Sequence, residues 1–285
     1  MRNPRFERRD TLPKMIFIYA VLTIMFVVDI YPVLDIVKIS LRPYSSLFSS
    51  SLNIIPADAT LENFRTILTK PDTPFLLWMK NSFIISMVTA IFGVVLSTTA
   101  AYSYSRYKFI GRNVSMTSFL LTQIFPAPMT LLPMYILLRK FGLVDHFTGI
   151  IIPYVATAVP FSVWVLKGYF DTIPASIEES AHMDGANLFQ ILTRIVIPLS
   201  LPALGVVTLN SFMMAWNEYA VARVVLTNNG MKTLPVGLVG MTGSFRTDWG
   251  IYSAGSLLAA IPVMILFMSM SKVLINGLTL GGVKG

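Results

Sequence analysis

The sequence predicts an all-α membrane protein of six transmembrane helices with both termini on the cytoplasmic side. Three observations predict it. Of the 285 residues, 54% are apolar and only 13% are charged, against about 25% charged in an ordinary soluble domain. Mean hydropathy is +0.68. Apolar runs of about 18 residues or more recur along the chain, each long enough to cross the hydrocarbon layer as a helix. Together they exclude a soluble globule, a disordered chain and a disulfide scaffold. The absence of cysteine also removes thiolate metal sites and thiol catalysis. Two histidines, His146 and His182, stand far apart and outside any metal-ligand spacing.

The first span is expected at 15–36, after a basic tail holding Arg2, Arg5, Arg8, Arg9 and Lys14. It is too long for a cleavable signal, and no small-x-small site follows it, so it reads as a retained helix. Further spans are expected at 81–105, 115–138, 149–166, 199–221 and 252–274, all within one transmembrane domain, 1–285. The net charge of +8 reads as the lysine and arginine excess that holds cytoplasmic loops inside, not as an affinity for nucleic acid. The dense basic tail and the compact loop with Arg106, Lys108 and Arg112 set the orientation.

Between the first two spans, Thr60 reads as an N-cap, followed by Leu61, Phe64, Ile67 and Leu68 on one helical face, a pattern that predicts a short helix on the membrane surface. In the third span Pro126, Pro128 and Pro133 each remove a backbone donor. Such breaks are tolerated beside neighbouring helices or a water-filled cavity. The segment 226–250, with its Asn228-Asn229-Gly230 turn, either reaches toward a soluble partner or simply connects two spans.

The loop 168–198 is too polar to span and too patterned to be a linker. Pro174 suits a first helical turn, and Ser176-x-x-Glu179 matches a capping box. A helix should run to about Asp184, where Gly185 can take a positive φ. Leu188, Ile191, Leu192 and Ile195 then form an apolar face until Pro198. The pattern describes a helix, a glycine turn and a second helix, either a docking element or an interfacial connector.

Glu179-Ser180-Ala181, then Gly185, then Ile195, Ile197 and Pro198 resembles the loop of binding-protein-dependent ABC importer permeases. That loop reads Glu-Ala-Ala, three residues, Gly, nine residues, Ile, one residue, Leu-Pro. Ser180 stands for the first Ala and Ile197 for Leu. Asp184-Gly185-Ala186, Pro198-Leu199-x-x-Pro202, Ala215-Trp216-Asn217-Glu218 and the ending at 277–285 resemble the sugar-importer branch, closest to permeases of the MalG type. The likeness covers essentially the whole chain.

The resemblance implies a type I ABC importer permease fold in a bacterial or archaeal cytoplasmic membrane, and import of maltose, maltodextrin or a related oligosaccharide. It implies a MalF-type permease partner, two ATP-binding-cassette ATPase subunits that carry ATP and Mg, and an extracytoplasmic sugar-binding protein. Glu178, Glu179, Ser180, Ala181, Asp184, Gly185, Ala186, Ile195 and Pro198 would couple to the ATPase, with Lys284 and Gly285 entering the ATPase dimer interface. The sequence contains no G-x-x-x-x-G-K-[ST] loop, so a transport subunit rather than an enzyme is expected.

In the fifth span Asn210, Trp216, Asn217 and Glu218 offer the hydrogen bonds and aromatic face that a sugar needs, or else satisfy neighbouring helices. At 3.6 residues per turn, Asn210 and Asn217 share one side. Asp29 and Glu218 are ionisable groups within spans, which raises an alternative class, the ion- or proton-coupled secondary transporter.

Overall fold

The computed structural model describes residues 12–43, 55–56, 58–243 and 247–281. Its regular elements are α1 (Leu12–Ser40), α2 (Glu62–Thr69), α3 (Phe75–Arg106), α4 (Arg112–Ile124), α5 (Ala127–Lys140), α6 (Thr148–Phe170), α7 (Ala175–Met183), α8 (Leu188–Leu199), α9 (Leu201–Asn217), α10 (Ala220–Val225), α11 (Leu234–Gly240) and α12 (Trp249–Gly281). Among the described residues, α1, α3, α6 and α12 are long and apolar enough to cross a membrane unbroken. Counting each of the bent pairs α4–α5 and α8–α9 as one span gives six.

The chain divides into two compact units, Met1–Thr69 with Thr242–Leu257, and Lys70–Met241 with the remainder from Leu258. In the first unit α2 is fastened to the end of α1 by Asn63. Its side-chain amide donates to the carbonyls of Ser40 at 2.9 Å and Arg42 at 2.7 Å, so carbonyls that α1 leaves unpaired at its C-terminus find a donor. Thr60 Oγ1 accepts from Glu62 N at 3.2 Å. Ile67 is buried, while Leu61 and Leu68 stay exposed.

The second unit is organised around α3, which packs along α6 and α9. The buried face of α3 carries Ser82, Ser86, Thr89, Ala90, Gly93, Ser97 and Thr98, and small residues of this kind let helix backbones approach closely. A Cβ on Gly93 would lie 3.5 Å from Ser211 Oγ and 3.8 Å from Ala158 Cβ. Inside a bilayer such contacts are held by van der Waals fit rather than by release of water. Two apolar clusters close the bundle. One gathers Tyr102, Met116, Leu166, Phe170, Ile191 and Val196, and the other gathers Ile85, Leu138, Ile150, Tyr154, Ala215 and Leu226.

The prolines place the bends. Phe125, forced extended by Pro126 (ψ 123°), ends α4, and α5 leaves at 104°. On this chain Met129, Leu132, Ile136 and Leu137 of α5 are exposed. Pro198 and Pro202 bracket an 83° bend between α8 and α9, preceded by a π turn over Leu192–Val196. The fifth span, expected to run to 221, breaks at Glu218 (ψ 126°), for a reason described below. The second begins six residues before the expected Asn81, because Pro74 starts the helix and Phe75 and Trp78 bury themselves ahead of Lys80.

After α10, residues 227–234 are tied to α3 and to the loop before α6. Asn81 Nδ2 donates to the carbonyls of Gly230 and Lys232, both at 3.0 Å, and Leu234 N donates to Ser82 Oγ at 2.7 Å. The loop before α6 holds the same segment. Asp145, at φ +57°, accepts from Thr227 N and Thr227 Oγ1, both at 2.6 Å, and from Asn228 N at 2.8 Å. The hydrogen bonds from the Thr227 hydroxyl and the Asn228 amide hold the Asp145 carboxyl below its ordinary value. A lowered carboxylate contributes stability above its unfolded value and loses it as pH falls through the folded one. Hydrogen exchange at the Thr227 and Asn228 amides is therefore expected to stay protected down to about pH 4 and to accelerate below it, beyond the intrinsic pH effect. Flat protection across that window would show that Asp145 does not hold the segment.

Candidate functional site

The loop between α6 and α9 is built from its chain breaks inward. Pro174 (ψ 128°) ends the extended approach and serves as N-cap, so α7 starts at Ala175. Ser176 therefore lies inside the first turn. The capping box expected for Ser176 and Glu179 does not form; Ser180 Oγ instead donates to the Ser176 carbonyl at 2.9 Å. The capping box stands at the next helix, where Asn187 Oδ1 accepts from Gln190 N and Gln190 Oε1 from Asn187 N, both at 2.9 Å. The Asn-x-x-Gln spacing carried that signal in the sequence.

Gly185 takes φ +85°. Its N–H donates to the His182 carbonyl and that of Ala186 to the Ala181 carbonyl, both at 3.0 Å. This is the Schellman pattern, which satisfies two carbonyls at the end of α7. The chain then turns into α8, which carries Ile195 half-buried and Pro198 exposed.

Glu178 and Glu179 separate sharply. Glu178 is 8% exposed. Its Oε1 accepts from Arg106 Nε at 2.7 Å and Nη2 at 2.6 Å, and its Oε2 from the Tyr102 hydroxyl at 2.7 Å. Arg106 also donates from Nη2 to the Ile173 carbonyl at 3.1 Å and from Nη1 to Ser105 Oγ at 3.1 Å. Ser105 in turn donates to Asp171 at 2.7 Å, which pairs with Lys167 at 2.6 Å. Burial raises the Asp171 carboxyl, but hydrogen bonds from Lys167 and Ser105 and the charges of Lys167 and Arg112 outweigh it and hold the group low. Removing one partner from the buried Arg106–Glu178 pair costs roughly 3–5 kcal/mol. Sequence reasoning found neither Arg106 nor Tyr102, since 72 and 76 residues separate them from Glu178.

Glu179, Ser180 and Asp184 are exposed, and Ala181 and Ala186 are half-buried. Met183 is 86% and Phe189 73% exposed, with Ile177 and Leu188 also open. The loop thus presents apolar side chains beside a carboxylate on a surface that the described residues leave uncovered, while its other face is locked to the ends of α3 and α6. Lys284 and Gly285 lie outside the described residues.

The fifth-span residues divide. Trp216, expected along the pathway, is 4% exposed and stacks on Phe212 with ring centroids 5.5 Å apart. Glu218, also expected there, accepts from Val221 N at 2.8 Å and Ala222 N at 3.1 Å and from the Tyr154 hydroxyl. Its carboxylate caps α10, which is why α9 breaks there. Asn210 and Asn217 remain exposed on one side of α9, with Met213 between them. Asp29 is exposed on α1.

Spans bent at prolines and a locked helix–turn–helix between them define the class: a multi-pass membrane permease, a transport subunit. The chain belongs to the binding-protein-dependent transport system inner membrane component family, which matches residues 93–279. It is 33% identical over 274 residues to the galactooligosaccharides transport system permease protein GanQ of Bacillus subtilis, covering 95% of this chain and 96% of that one. To the maltose/maltodextrin transport system permease protein MalG of Escherichia coli it is 35% identical over 288 residues, covering 95% and 96%. The crystal structure of a bacterial ABC transporter that imports the acidic polysaccharide alginate matches with a TM-score of 0.78 and 25% identity, over 95% of this chain and 99% of that one. The fold is that of a type I ABC importer permease.

Proposed function

We propose that this chain is one permease subunit of an ATP-driven, binding-protein-dependent importer of oligosaccharides of the maltodextrin or galactooligosaccharide kind, in a bacterial or archaeal cytoplasmic membrane. The whole chain, 1–285, acts as one permease domain beside a MalF-type partner. Two ATPase subunits that carry ATP and Mg grip the exposed face of α7 from the cytoplasm, and a sugar-binding protein delivers substrate from outside. Glu179, Ser180, Asp184, Gly185 and Ala186 form the gripped surface; Glu178, Ala181, Ile195 and Pro198 support it, and Lys284 and Gly285 reach the ATPase interface. Asn210 and Asn217 face the solute path. ATPase closure draws the two docking helices together and favours an outward-facing bundle, and hydrolysis releases it.

The observation that carries this reading is the division of the loop into a face locked to its own bundle and a face with Met183, Phe189 and Glu179 left open. Relatives named for maltodextrin and galactooligosaccharide transport support the substrate class.

Uptake of labelled maltodextrin or galactooligosaccharide by cells carrying the complete transporter is expected to stop on ATP depletion and to survive a proton ionophore at maintained ATP. Loss to the ionophore alone would establish a secondary carrier. Glu179→Lys is expected to reduce ATPase recovery with the tagged chain by ~10-fold, the scale of one charge-assisted contact. Unchanged, salt-resistant recovery would show that this carboxylate meets no partner.

A further inference from the structure

Resting on the docking reading above, we infer that Arg106 and Glu178 are positioning residues that weld the docking helix to the ends of α3 and α6, so that these three elements move as one lever during transport.

The geometry supports a weld rather than a surface contact. The two side chains are 15% and 10% exposed, so water does little to screen or replace the pair. Both carboxylate oxygens of Glu178 are occupied, one by two guanidinium nitrogens and the other by the Tyr102 hydroxyl. Arg106 spends its remaining donors on the Ile173 carbonyl and Ser105. Ile173 belongs to the turn entering α7, so one guanidinium holds that helix both through its side chain and at its start. Ser105, Asp171 and Lys167 extend the network to the end of α6. Tyr102, Leu166, Phe170 and Ile173 pack in the apolar cluster directly beneath.

The other side of the loop has a different character. Beyond Gly185 the chain passes through the π turn over Leu192–Val196 and the 83° bend into α9. Irregular turns of this sort mark places where a helix yields. A displacement of α7 therefore reaches α3 and α6 through buried charged and hydrogen-bonded side chains, and α9 through the irregular backbone and apolar packing of Ile191 and Val196. Docking alone requires only the exposed face, whereas the weld concerns the opposite one.

The test uses the complete transporter in proteoliposomes. Glu178→Gln is expected to lower solute uptake per assembled complex roughly tenfold and to raise the ATP consumed per solute by a similar factor. The charge exchange Arg106→Glu/Glu178→Arg is expected to recover at least a third of the lost uptake. Wild-type uptake per ATP in Glu178→Gln would overturn the weld, and so would a charge exchange no better than either single variant. Failure of the docking reading looks different: Glu179→Lys and Gly185→Val would then also transport normally. Because the chain holds no native cysteine, Ser105→Cys/Asp171→Cys gives a second check, in which a disulfide takes the place of the Ser105–Asp171 hydrogen bond. Oxidative cross-linking of these positions, whose side-chain oxygens lie 2.7 Å apart, is expected to preserve uptake, since a weld tolerates a covalent bond across it. Loss of uptake on cross-linking, restored by reduction, would show that α3 and α6 separate there in each cycle and would overturn the proposal.

Discussion

Gly185→Val is expected to insert and accumulate like the wild type, yet to lose roughly tenfold or more of its ATP-driven uptake. A Cβ at Gly185 meets nothing within 4 Å among the described residues, so the defect does not come from a collision within them. It lies in the backbone: at φ +85° an L-residue costs roughly 1–2 kcal/mol, and a β-branched one more. Relief comes by rotating φ, which breaks the Gly185-to-His182 and Ala186-to-Ala181 hydrogen bonds and re-aims α8 relative to α7. Gly185→Asn supplies the control. Asparagine visits left-handed geometry at low cost, so it should keep most of the uptake. Equal activity of the valine and asparagine variants would mean that the turn does not transmit motion.

Gly237→Ala is expected to lower the thermal midpoint of the purified protein by roughly 5–10 °C. A methyl group there would stand 2.1 Å from Trp78 Cε3 and 2.2 Å from Cδ2, far inside contact. The indole is a buried, inflexible plate whose Nε1 has no hydrogen-bond partner among the described residues. Overpacking of this kind costs about 1–3 kcal/mol, and here either α11 must lift from α3 or the ring must leave its slot. Adding Trp78→Leu should return part of the loss by making room. An unchanged midpoint for the single variant would show that α11 does not seat on Trp78.

Hydropathy alone gave the six crossings, because a ~30 Å apolar layer demands long runs wherever the chain passes through it. The helix–turn–helix between α6 and α9 was equally legible: Pro174, Gly185 and Pro198 each act on their own backbone and need no distant partner. What stayed hidden depended on distance or on competition. Arg106 reads as one more positive charge in a cytoplasmic loop until the fold brings it to Glu178, 72 residues away. The 226–250 segment looks unattached until Asn81 and Ser82 of α3 are found holding it from about 150 residues upstream. At Glu218 the sequence Ala215-Trp216-Asn217-Glu218-Tyr219 continues a helical pattern, but the carboxylate satisfies the free amides of Val221 and Ala222 better by leaving the helix. The Ser176 cap failed for a local reason. Pro174 starts the helix two residues too early for Ser176 to serve as its cap.

The widened coil over Leu192–Val196 carries one residue more than the ordinary turn it replaces. At 3.6 residues per revolution that surplus is worth about 100° of twist. Excising any single residue there would restore a regular spiral and swing everything beyond it by nearly a third of a circle, carrying Asn210 and Asn217 off the side they now occupy. The irregularity thus sets the compass heading of the fifth crossing, and a one-residue deletion is the simplest way to turn the dial.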